Sequence, residues 1–299
     1  MPVPQAGASI PAGRRFAQPR ISVIEIMSRT DPKPTASTRA LTQATQVFVR
    51  STAGSQSLER GLRLLRAFRH GSGTLMNAEL AERTGLPRPT VSRLTRSLVD
   101  AGFLVYDLPQ KGYRLAPACL SLALAYRSSE PVLERALPLM RELAEGRRVN
   151  VGLAVADQLD MVYLDSVRLS RLGIFRRLLP GSRIPIAPTS LGCAYLAGMP
   201  PAQRQHLLAR LKQAHGKGWP AQQRHVEQSL RDVRSQGFCH AQWAAGMAAV
   251  ATPLPAPGGA LYALNVSFPM AACADEDSVR AHAALLLDLK RKLLRALGE

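Results

Sequence analysis

Apolar residues recur at helical spacing soon after residue 56. Leu58, Leu62, Leu65 and Phe68 share one stripe while Arg60, Arg63 and Arg66 fall on other faces, which predicts an amphipathic helix. The turn-rich stretch 70–74 ends it. Asn77 suits the cap of a short helix that runs through Thr84 and stops at Gly85. Pro87 then opens a helix whose Val91, Leu94 and Leu98 face inward and which ends near Gly102. Segments 104–106 and 113–115 flank a turn containing Pro109 and Gly112, and predict a hairpin.

Residues 117–128 predict a connecting helix, and Pro131 starts another that runs to about Glu145 and stops at Gly146. Beyond it the periods alternate. Segments 151–155, 161–164, 248–254 and 260–266 are strand-like, whereas 189–197, 201–212, 224–235 and 276–296 have helical character. This mixture predicts an α+β fold with a largely antiparallel sheet. Residues 1–52 have no sustained apolar period and contain Pro2, Pro4, Pro11, Pro19, Pro32 and Pro34, which predicts a disordered tail. Its seven Lys or Arg against two Asp or Glu make it basic and suited to DNA. An overlong start assignment, with Met27 opening a more ordinary leader, is an equal reading of residues 1–26.

Charge narrows the partners. The 299 residues carry 39 Lys or Arg against 21 Asp or Glu, a net +18 and a pI near 10.9, so nucleic acid comes first and an anionic membrane second. The uncharged stretch 235–274 is broken by Pro253, Pro255, Pro257, Gly258, Gly259 and Pro269, so no bilayer-spanning helix and no membrane partner are expected. Pro19, Arg20 and Glu25 interrupt any apolar signal segment, and a cytoplasmic location is expected. Cys119, Cys193, Cys239 and Cys273 show no paired spacing and are expected reduced and mostly buried. The six histidines lack H-x-x-x-H spacing. No metal, cofactor or catalytic residue is therefore expected, and no nucleophile stands paired with a base.

The helical pair between Asn77 and Gly102 has the requirements of a helix-turn-helix. Ala81 lets the helices approach, Gly85 accepts a positive φ at the turn, and Val91 with Leu94 closes a small core. The outward face of the second helix keeps Arg88, Thr90, Ser92, Arg93 and Arg96, side chains that grip phosphates or pair with base edges. The hairpin would be a wing, with Lys111 at its tip and Arg114 on its return strand. These residues point to a double-stranded DNA operator.

Several ordered motifs carry a family resemblance. Residues 57–65, then Leu80-Ala-Glu-Arg-Thr-Gly-Leu-Pro-Arg-Pro-Thr-Val-Ser-Arg-Leu94 and Gly112-Tyr-Arg-Leu115, resemble the winged helix-turn-helix of the IclR family of bacterial transcription regulators. Asp160-Met-Val-Tyr-Leu-Asp165, Pro180-Gly-Ser-Arg-Ile-Pro185, 189–197, 246–253 and 263–269 resemble that family's effector domain in order and spacing. The resemblance implies a winged helix-turn-helix in 53–115, a linker helix in 116–130 and a GAF-like effector-binding domain in 131–299. It also implies a homodimer or homotetramer that responds to a small metabolite, often a carboxylic or aromatic acid, as repressor or activator. Carried over by position, the effector residues are Ser190, Leu191, Ala249, Asn265 and Ser267. The family's acid-binding pattern has an aspartate after the Gly237-Phe238 turn and a cysteine on the next strand, where this chain has His240 or Ala241, and Ala249. The start of the helix near Thr189 would offer free amides to a carboxylate without a basic side chain; a capping role for the Ser190 hydroxyl is the competing reading. A sequence-independent architectural DNA-binding protein is the alternative function.

Overall fold

In the computed structural model, which describes residues 54–168, 178–244, 246–269 and 276–298, the first helix packs on a different stripe from the expected one. α1 (Gln56–Arg66) buries Gly61 and Leu64, while Leu58 is 63% and Leu62 50% exposed. Leu64 faces the next two helices, while of the expected stripe Leu65 and Phe68 are half-buried, Phe68 against the same core. α2 (Asn77–Thr84) is capped by Met76, whose N–H donates to the Glu79 carboxylate at 2.8 Å. Asn77 is therefore the first helical residue and not the cap. Gly85 adopts φ 67 and donates to the Ala81 carbonyl at 2.8 Å, so the glycine turn stands as expected.

α3 (Arg88–Asp100) buries Val91, Leu94 and Thr95. The hairpin β1 (Leu104–Asp107) and β2 (Gly112–Leu115) pairs Leu104 with Leu115. Tyr113 exchanges backbone hydrogen bonds with Leu75, at 2.9 and 2.8 Å. A Cβ on Gly112 would lie 2.6 Å from Thr74 Cγ2 and 2.9 Å from the Leu75 oxygen, so glycine is needed for that approach. Leu64, Leu75, Leu80, Leu86, Val91 and Leu94 close the core of this head.

α4 (Pro117–Ser128) is the expected connecting helix and has no buried residue. α5 (Pro131–Arg147) runs past Gly146, the expected stop, and ends where Arg148 turns left-handed at φ 54 with its N–H on the Ala144 carbonyl. β3 (Asn150–Asp157), β4 (Asp160–Val167) and β5 (Arg183–Pro185) follow. Next come α6 (Ser190–Gly198), α7 (Pro201–His215), α8 (Trp219–Gln236), β6 (Cys239–Ala244), β7 (Met247–Ala256), β8 (Ala260–Pro269) and α9 (Glu276–Leu297). α7 is longer than its apolar period suggests because its last turn is polar, and α8 starts earlier, at the buried Trp219, one large side chain that sets no period by itself. The tail assigned to 1–52, and Cys273, lie outside the described residues.

The strands form one sheet in the order β5-β4-β3-β8-β7-β6, every pair antiparallel, as expected for the α+β class. One face carries Leu153, Val250, Leu264, Val266 and Phe268 into a core with α5 and α9. The other carries Met161, Tyr163, Ala251 and Ala263 into a core with α6, α7 and α8. Gly152 sits between the two central strands on the second face. A Cβ there would lie 2.5 Å from both Asn265 Oδ1 and Tyr163 Cε1. Gly152→Ala should therefore destabilise the fold by about 1–3 kcal/mol of overpacking, read as a lower denaturant midpoint at unchanged slope.

Candidate functional site

Two sites emerge, one on the head and one in the body. On the head, α2 braces α3 from behind. Arg83 of α2 donates to the Ala67 carbonyl at 3.2 Å and to Ser72 Oγ at 3.0 Å, fixing the loop that leads into the helix pair. This leaves the outer side of α3 to solvent: Arg88, Ser92, Arg93 and Arg96 are exposed and Thr90 is half-buried. Arg96 shares its guanidinium with Asp100 at 3.3 Å, a weak pair one helical turn away. Lys111 stands exposed at the wing tip, where φ is 50. Arg114 is tied to Asp107 at 3.2 Å across the hairpin, so its side chain serves the wing before any partner. The seven residues expected to meet DNA thus lie on the head, with Arg96 and Arg114 already engaged.

In the body, a cleft opens where α6 begins over the sheet. Tyr163, Ile184, Thr189, Ser190, Leu191, Ala241, Met247, Ala248, Ala249 and Asn265 line it. It encloses about 20 Å³, room for one water molecule. The structure brings together Ser190, Leu191, Ala249 and Asn265 of the expected set. Ser267 shares a face of β8 with Asn265 but lies one step outside, where its hydroxyl accepts from Arg168 Nη1 at 3.2 Å. The Arg168 guanidinium also stands 5.1 Å from the centre of the Tyr163 ring, so a cation borders the cleft that the sequence did not single out.

The cap of α6 is Thr189, not Ser190. The Thr189 hydroxyl accepts from the Gly192 amide at 3.2 Å and donates to the Pro185 carbonyl at 2.8 Å. The amides of Ser190 and Leu191 then have no acceptor within the helix, and both residues line the cleft. Asn265 Oδ1 is buried without a hydrogen-bond partner among the described residues, and Asn265 is only 3% exposed. An unpaired buried amide atom costs about 1–3 kcal/mol, a cost that a polar ligand would remove.

Sequence reasoning missed the contact between head and body. Arg66 of α1 pairs with Asp157 at the end of β3, and Arg69 pairs with Asp160 at the start of β4, at 3.2 Å. Arg183 of β5 completes the cluster, at 2.5 Å from Asp157 and 2.9 Å from Asp160. Burial alone would raise the Asp157 carboxyl; hydrogen bonds from Arg66 and Arg183 outweigh it and hold it below its ordinary range. Arg127 of α4 makes a second tie, to Asp165 at 2.6 Å and to the Leu164 carbonyl. Arg66 and Asp157 are 91 positions apart, a separation at which a sequence shows two ordinary charges and no pair.

Cys193 and Cys239 are buried, whereas Cys119 is half-buried. Burial pushes Cys193 up to about 12, and Cys239 well above the ordinary thiol value. Cys239 donates to the Ser190 carbonyl at 3.3 Å, directly behind the cleft. Since a thiol raised in this way is neutral at all pH values below that range, native protein at pH 8 should leave Cys193 and Cys239 unalkylated by iodoacetamide. Mass spectrometry of native and urea-unfolded samples checks this, with modification of both thiols expected only after unfolding.

Comparison with known proteins places the whole arrangement. The family model for the IclR helix-turn-helix domain matches residues 57–108, and that for the bacterial transcriptional regulator IclR C-terminal domain matches 124–294. The chain is 31% identical over 230 residues to the Pca regulon regulatory protein of Pseudomonas putida, covering 74% of this chain and 77% of that protein. An IclR family transcriptional regulator from Brucella abortus superposes with a TM-score of 0.74 at 32% identity, covering 88% of this chain and 99% of that one. An IclR homologue from Microbacterium hydrocarbonoxydans, solved in complex with 4-hydroxybenzoate, shares the fold with a TM-score of 0.59 at 22% identity, over 81% and 100% of the two chains. With an exposed helix-turn-helix at one end and the matching C-terminal domain at the other, the chain belongs to the IclR family of transcription regulators, DNA-binding proteins with an effector-binding domain.

Proposed function

We propose that this regulator reads a specific DNA operator and that a small carboxylic or aromatic acid in the cleft of the body changes how tightly it does so. The buried, unpaired Asn265 Oδ1 at the wall of the cleft is the observation that carries the effector half of this reading. Beside it, the Ser190 and Leu191 amides at the positive end of α6 suit a carboxylate, and Arg168 supplies a cation at the rim. With room for one water, the cleft must widen to admit a ring. On the head, Arg88, Thr90, Ser92, Arg93 and Arg96 are assigned to the operator's major groove, and Lys111 with Arg114 to the backbone beside it.

A homodimer or homotetramer fits the same reading. Leu58 and Leu62 of α1, with Leu120, Leu122 and Leu124 of α4, are all at least half exposed. Apolar exposure of this extent on α1 and on α4 suits a second copy of the chain. Replacing Leu62 and Leu124 together by Glu should lower the mass seen in sedimentation towards that of one chain, with α-helical content retained.

The first test is fluorescence anisotropy on the duplex upstream of the protein's own coding region, across a salt series, against a scrambled duplex. A preference of about 10³-fold marks an operator reader. Equal binding with one steep salt slope would replace this reading by sequence-independent coating of DNA. Arg93→Ala should weaken specific binding by about 1–3 kcal/mol. Lys111→Ala should weaken all duplexes alike and reduce the salt slope by about 1. Ser190→Trp should fill the cleft and abolish the response to 4-hydroxybenzoate and other small acids while DNA binding persists.

A further inference from the structure

The strand β5 has a different job on each face. Ile184 lines the cleft, while its neighbour Arg183 points the other way into the Asp157 and Asp160 carboxylates. Just beyond β5, the backbone of Ile186 lies so close to Gly192 of α6 that a Cβ on Gly192 would collide with it. Widening between α6 and this segment therefore has to move one of the two, and β5 is the segment's direct continuation. The strand can yield: among the described residues it is at the edge of the sheet and pairs with β4 alone, through Arg183, Ile184 and Pro185.

The same two carboxylates receive the head. Asp157 takes Arg66 as well as Arg183, and Asp160 takes Arg69 as well as Arg183. Arg183 also donates to the Asp157 backbone carbonyl at 2.8 Å, so a single planar guanidinium fixes the end of β3 and the start of β4 together. The head's apolar core is separate from both cores of the body, and whereas Arg127 ties the body to the connecting helix α4, these charges are the ones that reach α1 and the turn after it.

We propose that Arg183 is a positioning residue that ties the width of the cleft to the placement of the DNA-binding head. It holds Asp157 and Asp160 where Arg66 and Arg69 can reach them, and a shift of β5 withdraws that support. The proposal rests on the reading of the cleft as the effector site, but its test needs neither effector nor operator. Coupling of this kind is reciprocal, so loosening the head must loosen the cleft.

Hydrogen–deuterium exchange of the full chain reads both ends. Replacing Arg66 and Arg69 together by Gln should speed exchange in α1 and, by about 5-fold or more, in the cleft segment 186–196, with β7 and β8 unchanged. Arg183→Gln should give the same pattern and add nothing to the Arg66, Arg69 variant, while Arg183→Lys, which keeps the charge and loses the fork, should fall between. From the other end, Gly192→Ala wedges the cleft and should speed exchange in α1, though not when Arg183→Gln is also present. The head-side variants change only partly exposed side chains and stand as a test even if Gly192→Ala fails to fold. Unchanged exchange in 186–196 after removal of Arg66 and Arg69 overturns the proposal. So does a uniform rise that includes β7 and β8, which a merely stabilising role would give. Either result leaves the effector reading of the cleft to its own acid-binding test with Ser190→Trp.

Discussion

The pleat of β8 sets the constraint from which the body of the molecule follows. Its neighbours on both sides, β3 and β7, leave it no free edge, so its side chains must alternate between two covered faces. Leu264, Val266 and Phe268 go to the face under α5 and α9 and close a largely apolar core. Ala263, Asn265 and Ser267 go to the other, where small and polar groups cannot fill the space under α6. A shift of one residue in register would exchange the two sets and bury both polar side chains in the apolar core. The cleft exists because one parity of β8 is apolar and the other is not. Gly152, directly across on β3, preserves it by leaving room for Asn265 and the Tyr163 ring.

The junction between head and body is of a different strength. Each half has its own packed core, whereas the contact from α1 is made by arginine and aspartate side chains that remain partly exposed. Exposed pairs of this kind contribute about 0–1 kcal/mol each, far less than a buried core leucine, whose truncation costs about 2–5 kcal/mol. A junction of that size holds an orientation without making it costly to change. That suits the coupling proposed between the cleft and the head.

The cleft follows the same economy of polar groups. Thr189 takes the Gly192 amide as a helix cap, and the hydroxyl of Ser190 is thereby released from that duty on the cleft wall. The two thiols beneath, Cys193 and Cys239, are too deeply buried to ionise, so they act as small apolar filler.

By itself the sequence determined the helices, the helix-turn-helix and most of the strands, though β5, three residues long, left no periodic mark. The helix-turn-helix rests on local physics: Gly85 at a positive φ, Val91 and Leu94 one helical turn apart, and arginines left on the opposite face of α3. The family was legible from the order and spacing of whole motifs. Four of the five positions that the resemblance assigns to an effector, Ser190, Leu191, Ala249 and Asn265, also meet in one cleft, since ordered motifs map onto a shared fold. Tertiary structure alone decided the rest. Which stripe of α1 is buried depends on where α2 and α3 lie, so Leu64 is inside and Leu58 outside although both fit a helical period. The cap fell to Thr189 and Met76 because capping depends on the φ and ψ of one residue, to which composition is blind. The cluster of Arg66, Arg69, Asp157, Asp160 and Arg183 joins charges from distant parts of the chain, and only folding gives such charges a distance.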